Sequence, residues 1–422
     1  MFSKIKNTIN NLGPGLLYAG AAVGVSHLVM STQAGAKYGF LLLILIPLIH
    51  VIKYPFYRFG PEYTAVTGKN ILHGYKELGN YAVYIYIFMT IGSMCLIQAA
   101  VTIVTSSIAV EFFKIPVPAE YMPHGPAIAF LLIAAAILAI GKYSILDKLM
   151  KVIIILLTVT TIIAVCSVLF RAPGGFHEGP SAVFDITAYA GAIFLAKFLG
   201  WMPAPMDISV WHSVWSEEAN KENGEVAPLK KAMFDFNIGF YGTACLAMCF
   251  LSLGALVMFN GPVQPSPKGA VFASQLIKMY TDALGSWAYP LIGIAALTTM
   301  FSTTLTCLDA YPRTLKESFA ILGEDKGKVQ TEESGRKSYL IVLGVAVTGT
   351  IGAFLIAKNV DGAMGVIVAI ATVASFISAP ILAVLNYMAM NTSSVPEDKR
   401  PKGMMIKWCL LGIIVLTVSS FW

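Results

Sequence analysis

Lys197-Phe198-Leu199-Gly200-Trp201-Met202-Pro203-Ala204-Pro205-Met206-Asp207 interrupts a hydrophobic stretch that otherwise reads as a membrane-spanning helix. Two prolines remove helix hydrogen bonds, and an ionisable residue at bilayer depth is costly unless it meets protein or a wet cavity. Irregular backbone survives inside a membrane only on those terms. A helix broken near the midplane is the sequence mark of a substrate site in secondary transporters.

The composition agrees. The chain is 57% hydrophobic and 12% charged, with a mean hydropathy of +0.72. Soluble domains carry about a quarter charged residues, so this reads as an all-α, multi-pass protein of the lipid bilayer. Its net charge of +6 follows from loop topology and calls for no nucleic-acid partner. All six cysteines fall inside apolar stretches and read as small core residues. Cys245 and Cys249 share a helix face, but no third metal ligand lies near them. The N-terminus, Met1 to Asn11, is basic and polar and lacks a cleavable signal pattern.

Spanning a bilayer takes roughly 20 apolar residues. Eleven such windows fit, at 12–34, 38–58, 82–110, 127–141, 146–170, 187–214, 232–259, 284–310, 338–357, 362–389 and 404–421. With the connections alternating sides, most of the 29 lysines and arginines, Lys53 and Arg58 among them, fall on the side of the N-terminus. Only Lys37, Lys114, Arg171, Lys268, Lys278 and Lys358 fall on the other, and Lys197 stays inside a span. By the positive-inside rule the N-terminus is cytoplasmic, and the plasma (inner) membrane is the expected location. Residues 1–422 form one domain, and the polar segments 215–231, 311–337 and 391–403 read as solvated connectors.

The first span is interrupted as well. Gly20, Gly24, Ser26, His27, Ser31 and Thr32 stand where a lipid-facing helix would carry leucine. Small residues also serve helix packing, but spans one and six are five apart. Breaks at matching positions of consecutive five-helix blocks mark an inverted repeat.

At this point the residues resemble a family. Gly13-Pro14-Gly15 through Gln33-Ala34-Gly35-Ala36-Lys37-Tyr38-Gly39 looks like the first span of the NRAMP divalent-metal transporters. Arg58-Phe59-Gly60 with Val66-Thr67-Gly68-Lys69 resembles the end of that family's second span, His212-Ser213 the close of its sixth, and Ala379-Pro380 a proline in its tenth. The resemblance implies the LeuT-type fold: 12–171 and 187–390 as inverted repeats, with 404–421 appended. It also exposes departures. Gly24-Val25-Ser26-His27 replaces the family's Asp-Pro-Gly-Asn, Pro205-Met206-Asp207 replaces Met-Pro-His, and Ser378 replaces a glutamine. The family's metal-ligating aspartate, asparagine and methionine are absent from their positions. Its acidic third span here shows Gln98, Thr102, Thr105 and Ser106.

A divalent cation wants fixed negative charge and several donor atoms. The core offers His27, Asp207 and freed carbonyls, with Lys197 two turns before Pro205 to repel a cation. No resident metal site or cofactor is therefore expected. Helix N-termini and Lys197 suit a carboxylate, Gly24 and Pro205 allow backbone approach, and Ser26 and Ser378 can hydrogen-bond. Trp201 and Trp211 can close over a small apolar or planar body. The bland readings are that Lys197 pairs with Asp185, that Asp207 is a helix N-cap, and that His212 is a structural hydrogen-bonding group. His50, His73, His124 and His177 carry no functional expectation.

For coupling, Ser302 and Thr303 resemble the hydroxyls that cradle sodium with span-one carbonyls in LeuT-type folds. Asp309 suits a proton path or an i,i+4 salt bridge to Arg313. Protons moving through His27, Asp207 or His212 are expected over sodium. The leading expectation is an ion-coupled secondary transporter, acting as a monomer, that imports an organic acid, amino-acid-like or lactam-like solute. A proton-coupled importer of manganese, iron or magnesium using His27 and Asp207 is the alternative. A non-transporting sensor or scaffold lacks a soluble domain to signal through, and no nucleophile–base set or carboxylate pair suggests an enzyme.

Overall fold

The computed structural model describes residues 12–141, 143–171, 183–261, 266, 269–324, 331–359 and 363–421. The segment Met1 to Asn11, His177 and Lys268 lie outside them. Among the described residues every regular element is helical. The chain runs through α1 (Pro14–Ala22), a π-helical turn (Val25–Ser31), α2 (Thr32–Tyr38), α3 (Leu45–Thr67), α4 (Ile71–Leu78) and α5 (Asn80–Phe113). It continues through α6 (His124–Ile140), α7 (Tyr143–Arg171), α8 (Tyr189–Gly200), α9 (Asp207–Asn223) and α10 (Leu229–Val257). It ends with α11 (Gly269–Leu284), α12 (Ala288–Glu324), α13 (Glu332–Asn359), α14 (Ala363–Ala389) and α15 (Met404–Phe421). Among the described residues seven helical stretches are long and apolar enough to cross a membrane, and His124–Ile140, Gly191–Gly200 and Met404–Ser420 are shorter apolar helices.

Several expected boundaries move. The second window, 38–58, gives way to turns at 39–44 and a helix reaching Thr67, so Lys53 and Arg58 are helical residues rather than loop residues. Segments 215–223 and 311–324, which read as connectors, continue α9 and α12 as helix. Helices α4 and α11 have no counterpart among the apolar windows; both are short for a span, and hydropathy windows are blind to them. Cys166 and Cys245 are exposed on the outside of the bundle and are not core residues, because apolar windows do not separate lipid-facing from inward positions.

Helix association in a membrane depends on close packing and polar contacts more than on burial of oil. Helices α1 and α10 cross at two glycines: a Cβ on Gly239 would sit 2.2 Å from the Gly15 carbonyl oxygen. At the same crossing the Asp235 carboxylate accepts the Gly13 N–H (3.0 Å) and the Gly15 N–H (2.7 Å). It thereby satisfies donors that the start of α1 leaves unpaired.

Prolines inside α3 and α14 attach the last helix. A proline lacks the N–H that would reach the carbonyl four residues back. Pro55 frees Val51, whose carbonyl accepts the Trp408 indole N–H at 2.8 Å. Pro380 frees Phe376, whose carbonyl accepts the Ser420 hydroxyl at 2.9 Å. Both donors lie on α15.

Candidate functional site: two helix breaks

Helix α8 stops at Gly200, and residues 201–206 are non-helical before α9 begins at Asp207. The last carbonyls of α8 have no partner in their own helix. Helix α3 supplies one. Lys53 Nζ donates to the carbonyls of Leu199 (2.9 Å), Gly200 (3.1 Å) and Met202 (2.7 Å). The Tyr57 hydroxyl donates to the Ala204 carbonyl. An ammonium has three N–H bonds, so Lys53 is fully engaged, and its charge sits at the negative end of the α8 dipole. Two turns on, the Thr64 and Ser213 hydroxyls meet at 2.8 Å. The tally of charges sets Lys53 with the connections, although the apolar window 38–58 contains it, and so misses its role. The signal lies in the spacing: Lys53, Tyr57 and Thr64 occupy one face of a helix, a polar stripe aimed at the broken span.

The first break has different chemistry. After Ala22 the chain leaves the helix at Val23 and Gly24, then winds as the π-helical turn. Thr303 Oγ1 lies 3.1 Å from the Gly20 carbonyl oxygen and 3.0 Å from that of Val23. Ser302 Oγ lies 3.2 Å from the Gly20 oxygen, and the Ser302 and Thr303 hydroxyls also reach the Thr299 carbonyl, at 2.7 and 3.2 Å. Three carbonyl and two hydroxyl oxygens are thus gathered between α1 and α12. Gly24 makes this approach possible, since a Cβ there would sit 2.6 Å from Thr303 Oγ1.

His27 is fully buried just beyond the first break. Its Nδ1 pairs with Ser26 Oγ at 2.8 Å, and its Nε2 has no hydrogen-bond partner among the described residues. Asp207 is the first residue of α9, with Met206 as N-cap and no capping bond from its own side chain, so it is not the cap the sequence suggests. Trp201, Trp211 and His212 are buried, and the indole N–H groups and His212 Nδ1 lack hydrogen-bond partners among the described residues. The His212 ring packs 5.6 Å from that of Tyr18. The Pro205 carbonyl accepts the Ile208 N–H at 3.2 Å. The Ser378 hydroxyl returns to the Ser375 carbonyl of its own helix at 3.0 Å.

Lys197 is half-buried on α8, within electrostatic reach of Lys37. Asp185, its suggested partner, is exposed and bonded instead to the Thr187 hydroxyl and N–H, which hold its carboxyl below the usual range. In the third span the hydroxyls are glue: Thr105 Oγ1 meets Thr304 Oγ1 at 2.7 Å, and Gln98 Nε2 donates to Thr102 at 3.1 Å.

Asp309 lies in an ion network at the end of the bundle where α1 begins. Its carboxylate accepts from Arg313 (2.7 and 2.9 Å), the Trp215 indole (2.9 Å) and the Tyr339 hydroxyl (2.9 Å). Arg313 reaches on to Glu218 at 3.3 Å. Burial alone would raise the Glu218 pKa, but the charges of Arg313, Lys316 and Lys221 outweigh it and hold the carboxyl below its usual value. These groups border a cleft of about 650 Å³. Among the described residues no group of three His, Cys, Asp or Glu side chains could hold a metal ion.

Comparison with known proteins fits this geometry. A Pasteurella multocida protein of uncharacterized function is 36% identical over 415 residues, spanning 96% of this chain and 90% of the relative. The manganese transporter of Eremococcus coleocola, solved with an aromatic bis-isothiourea substituted compound, superposes with a TM-score of 0.70 at 15% identity, over 100% of this chain and 87% of that one. MhsT, solved with L-phenylalanine, superposes with a TM-score of 0.62 at 15% identity, over 97% and 98% of the two chains. The model of the natural resistance-associated macrophage protein-like (Nramp) family matches residues 15–422, and the chain, a multi-pass membrane transporter of LeuT-type fold and not an enzyme, belongs to that family.

Proposed function

We propose that this transporter imports a small organic solute, amino-acid-like or lactam-like, rather than a divalent metal. The observation that carries this reading is the Lys53 splint. It fixes a positive charge at the second break and occupies three carbonyl oxygens there, with Tyr57 occupying a fourth. A divalent cation seated against those carbonyls would meet repulsion and few free oxygens. The site is proposed to comprise Gly24, Ser26, His27, Trp201, Pro205 and Asp207, with His212 behind it. Lys197 and Ser378 stay at its margin, since among the described residues neither hydrogen-bonds to the breaks.

The proposed architecture has eleven spans, with two five-span repeats at 12–171 and 187–390 and the helix at 404–421 added. The N-terminus is cytoplasmic, the membrane is the inner one, and the working unit is a monomer. For coupling, the five neutral oxygens at the first break favour sodium over the proton expected from sequence, and Asp309 is already committed to Arg313.

A divalent-metal importer is the second reading, favoured by family membership and by likeness to a manganese transporter. His27 and Asp207 would then be its side-chain ligands. Calorimetry on the purified protein separates the two. Manganese is expected to bind weakly or not at all up to millimolar concentration. Micromolar affinity that disappears in His27→Ala or Asp207→Ala would establish the metal reading instead.

A further inference from the structure

Three helices each contribute a pair of residues four apart, on one face, to a region beside the second break. Helix α5 gives Tyr86 and Thr90, α9 gives Asp207 and Trp211, and α12 gives Cys307 and Tyr311. All six are at most 4% exposed. Among the described residues the hydroxyls of Tyr86, Thr90 and Tyr311 and the Trp211 indole N–H have no hydrogen-bond partner. Buried polar groups are rarely left unpaired, because each orphan forfeits its bonds to water without replacing them. Four of them facing one region point to a ligand.

The groups face each other. The Trp211 and Tyr311 rings stand edge to face at 4.9 Å. The Tyr86 side chain lies beside those of Thr314, Thr90 and Trp211, and Asp207 lies within electrostatic reach of Tyr86, Cys307 and Tyr311. Among the described residues the Asp207 carboxylate forms no ion pair or hydrogen bond, and no cationic side chain enters the region. Lys53 has its three protons engaged, and Arg313 is bound to Asp309 and Glu218.

We propose that Tyr86, Thr90, Asp207, Trp211 and Tyr311 form a pocket for the ammonium group of the solute, with an adjacent acceptor atom on the Trp211 N–H. A carboxylate supplies the counter-charge and aromatic faces supply cation–π attraction. The hydroxyls accept from the ammonium protons, while the indole, a donor only, requires an acceptor. An amino acid or amino amide has both. This inference rests on the organic-solute reading and deepens it.

Cys307 is a built-in reporter. In protein carrying Cys307 as its only thiol, reconstituted in nanodiscs, the labelling rates of 2-aminoethyl and 2-sulfonatoethyl methanethiosulfonate are measured. Each is normalised to its rate with free thiol. The cationic reagent is expected to win by at least tenfold, and Asp207→Asn should abolish the preference while the melting temperature confirms folding. Glycinamide at millimolar concentration should slow labelling, whereas acetate should not. If Asp207→Asn fails to fold, Trp211→Phe serves instead; it should keep the charge preference and lose glycinamide protection. Equal rates, no labelling of folded protein, or protection by manganese but not glycinamide would each overturn the proposal. Charge preference at a thiol and calorimetric manganese affinity are separate readouts, so failure here is distinguishable from failure of the organic-solute reading.

Discussion

At the first break the carbonyls of Gly20 and Val23 accept from neutral hydroxyls of α12; at the second, those of Leu199, Gly200 and Met202 accept from one ammonium of α3. Both arrangements satisfy backbone groups that have no water to turn to. They differ in what can replace the donor. A hydroxyl has lone pairs as well as a proton, so when a cation arrives it can rotate and join the carbonyls as a ligand. An ammonium has no acceptor and repels that cation. The first break is therefore exchangeable and the second is fixed.

The largest effect should come from removing the fixed donor. Lys53→Met leaves three carbonyls unsatisfied, at roughly 1–3 kcal/mol each. The melting temperature in detergent should fall steeply, with Lys53→Arg restoring only part of it because a flat guanidinium does not reproduce three converging bonds. Unchanged melting in Lys53→Met would break the comparison, since the second break would then need no splint.

A smaller effect is expected at the exchangeable break. Sodium should stabilise the native protein over choline at equal ionic strength, by up to about 2.7 kcal/mol at a hundredfold excess over Kd, read as a higher melting temperature. Thr303→Val and Ser302→Ala should each cost only about 1 kcal/mol without sodium and should flatten the sodium response. A response that survives in both variants would remove the ion from this position.

The two breaks are legible in the sequence because proline, glycine and polar residues conflict with a continuous lipid-facing helix wherever they cluster in an apolar span. The helical bundle is legible through the apolar length of its spans. What fills the breaks is harder to read. Ser302 and Thr303 stand out because hydroxyl runs are conspicuous in a membrane helix, whereas Lys53, near the end of the apolar window 38–58, reads as an ordinary span-end charge. Lys197 draws attention as the charge inside the broken span, yet the charge that touches the break comes from another helix, thirteen positions before the Val66-Thr67-Gly68 turn. Pairing between helices is tertiary information, and the polar stripe at Lys53, Tyr57 and Thr64 hints at it only once a partner is known. The pocket beside Asp207 is hidden likewise, as tyrosine and tryptophan on three separate helices read individually as packing.

The smallest expected effect tests whether freed carbonyls follow one rule throughout the molecule. Trp408 and Ser420 serve carbonyls that Pro55 and Pro380 release, which is the same problem as the breaks on a smaller scale. Here a neutral donor at the rim of the bundle replaces a single missing bond. Trp408→Phe keeps the ring and removes the donor, so it should cost about 1 kcal/mol. Pro55→Ala returns an N–H to Val51, and in that background the indole bond is redundant. Trp408→Phe should then cost about 0.5–1 kcal/mol less, a coupling that a double-mutant cycle on melting curves can read. Strict additivity of the two substitutions would mean that α15 is held by packing alone, and the donor-for-carbonyl rule would apply only at the two breaks.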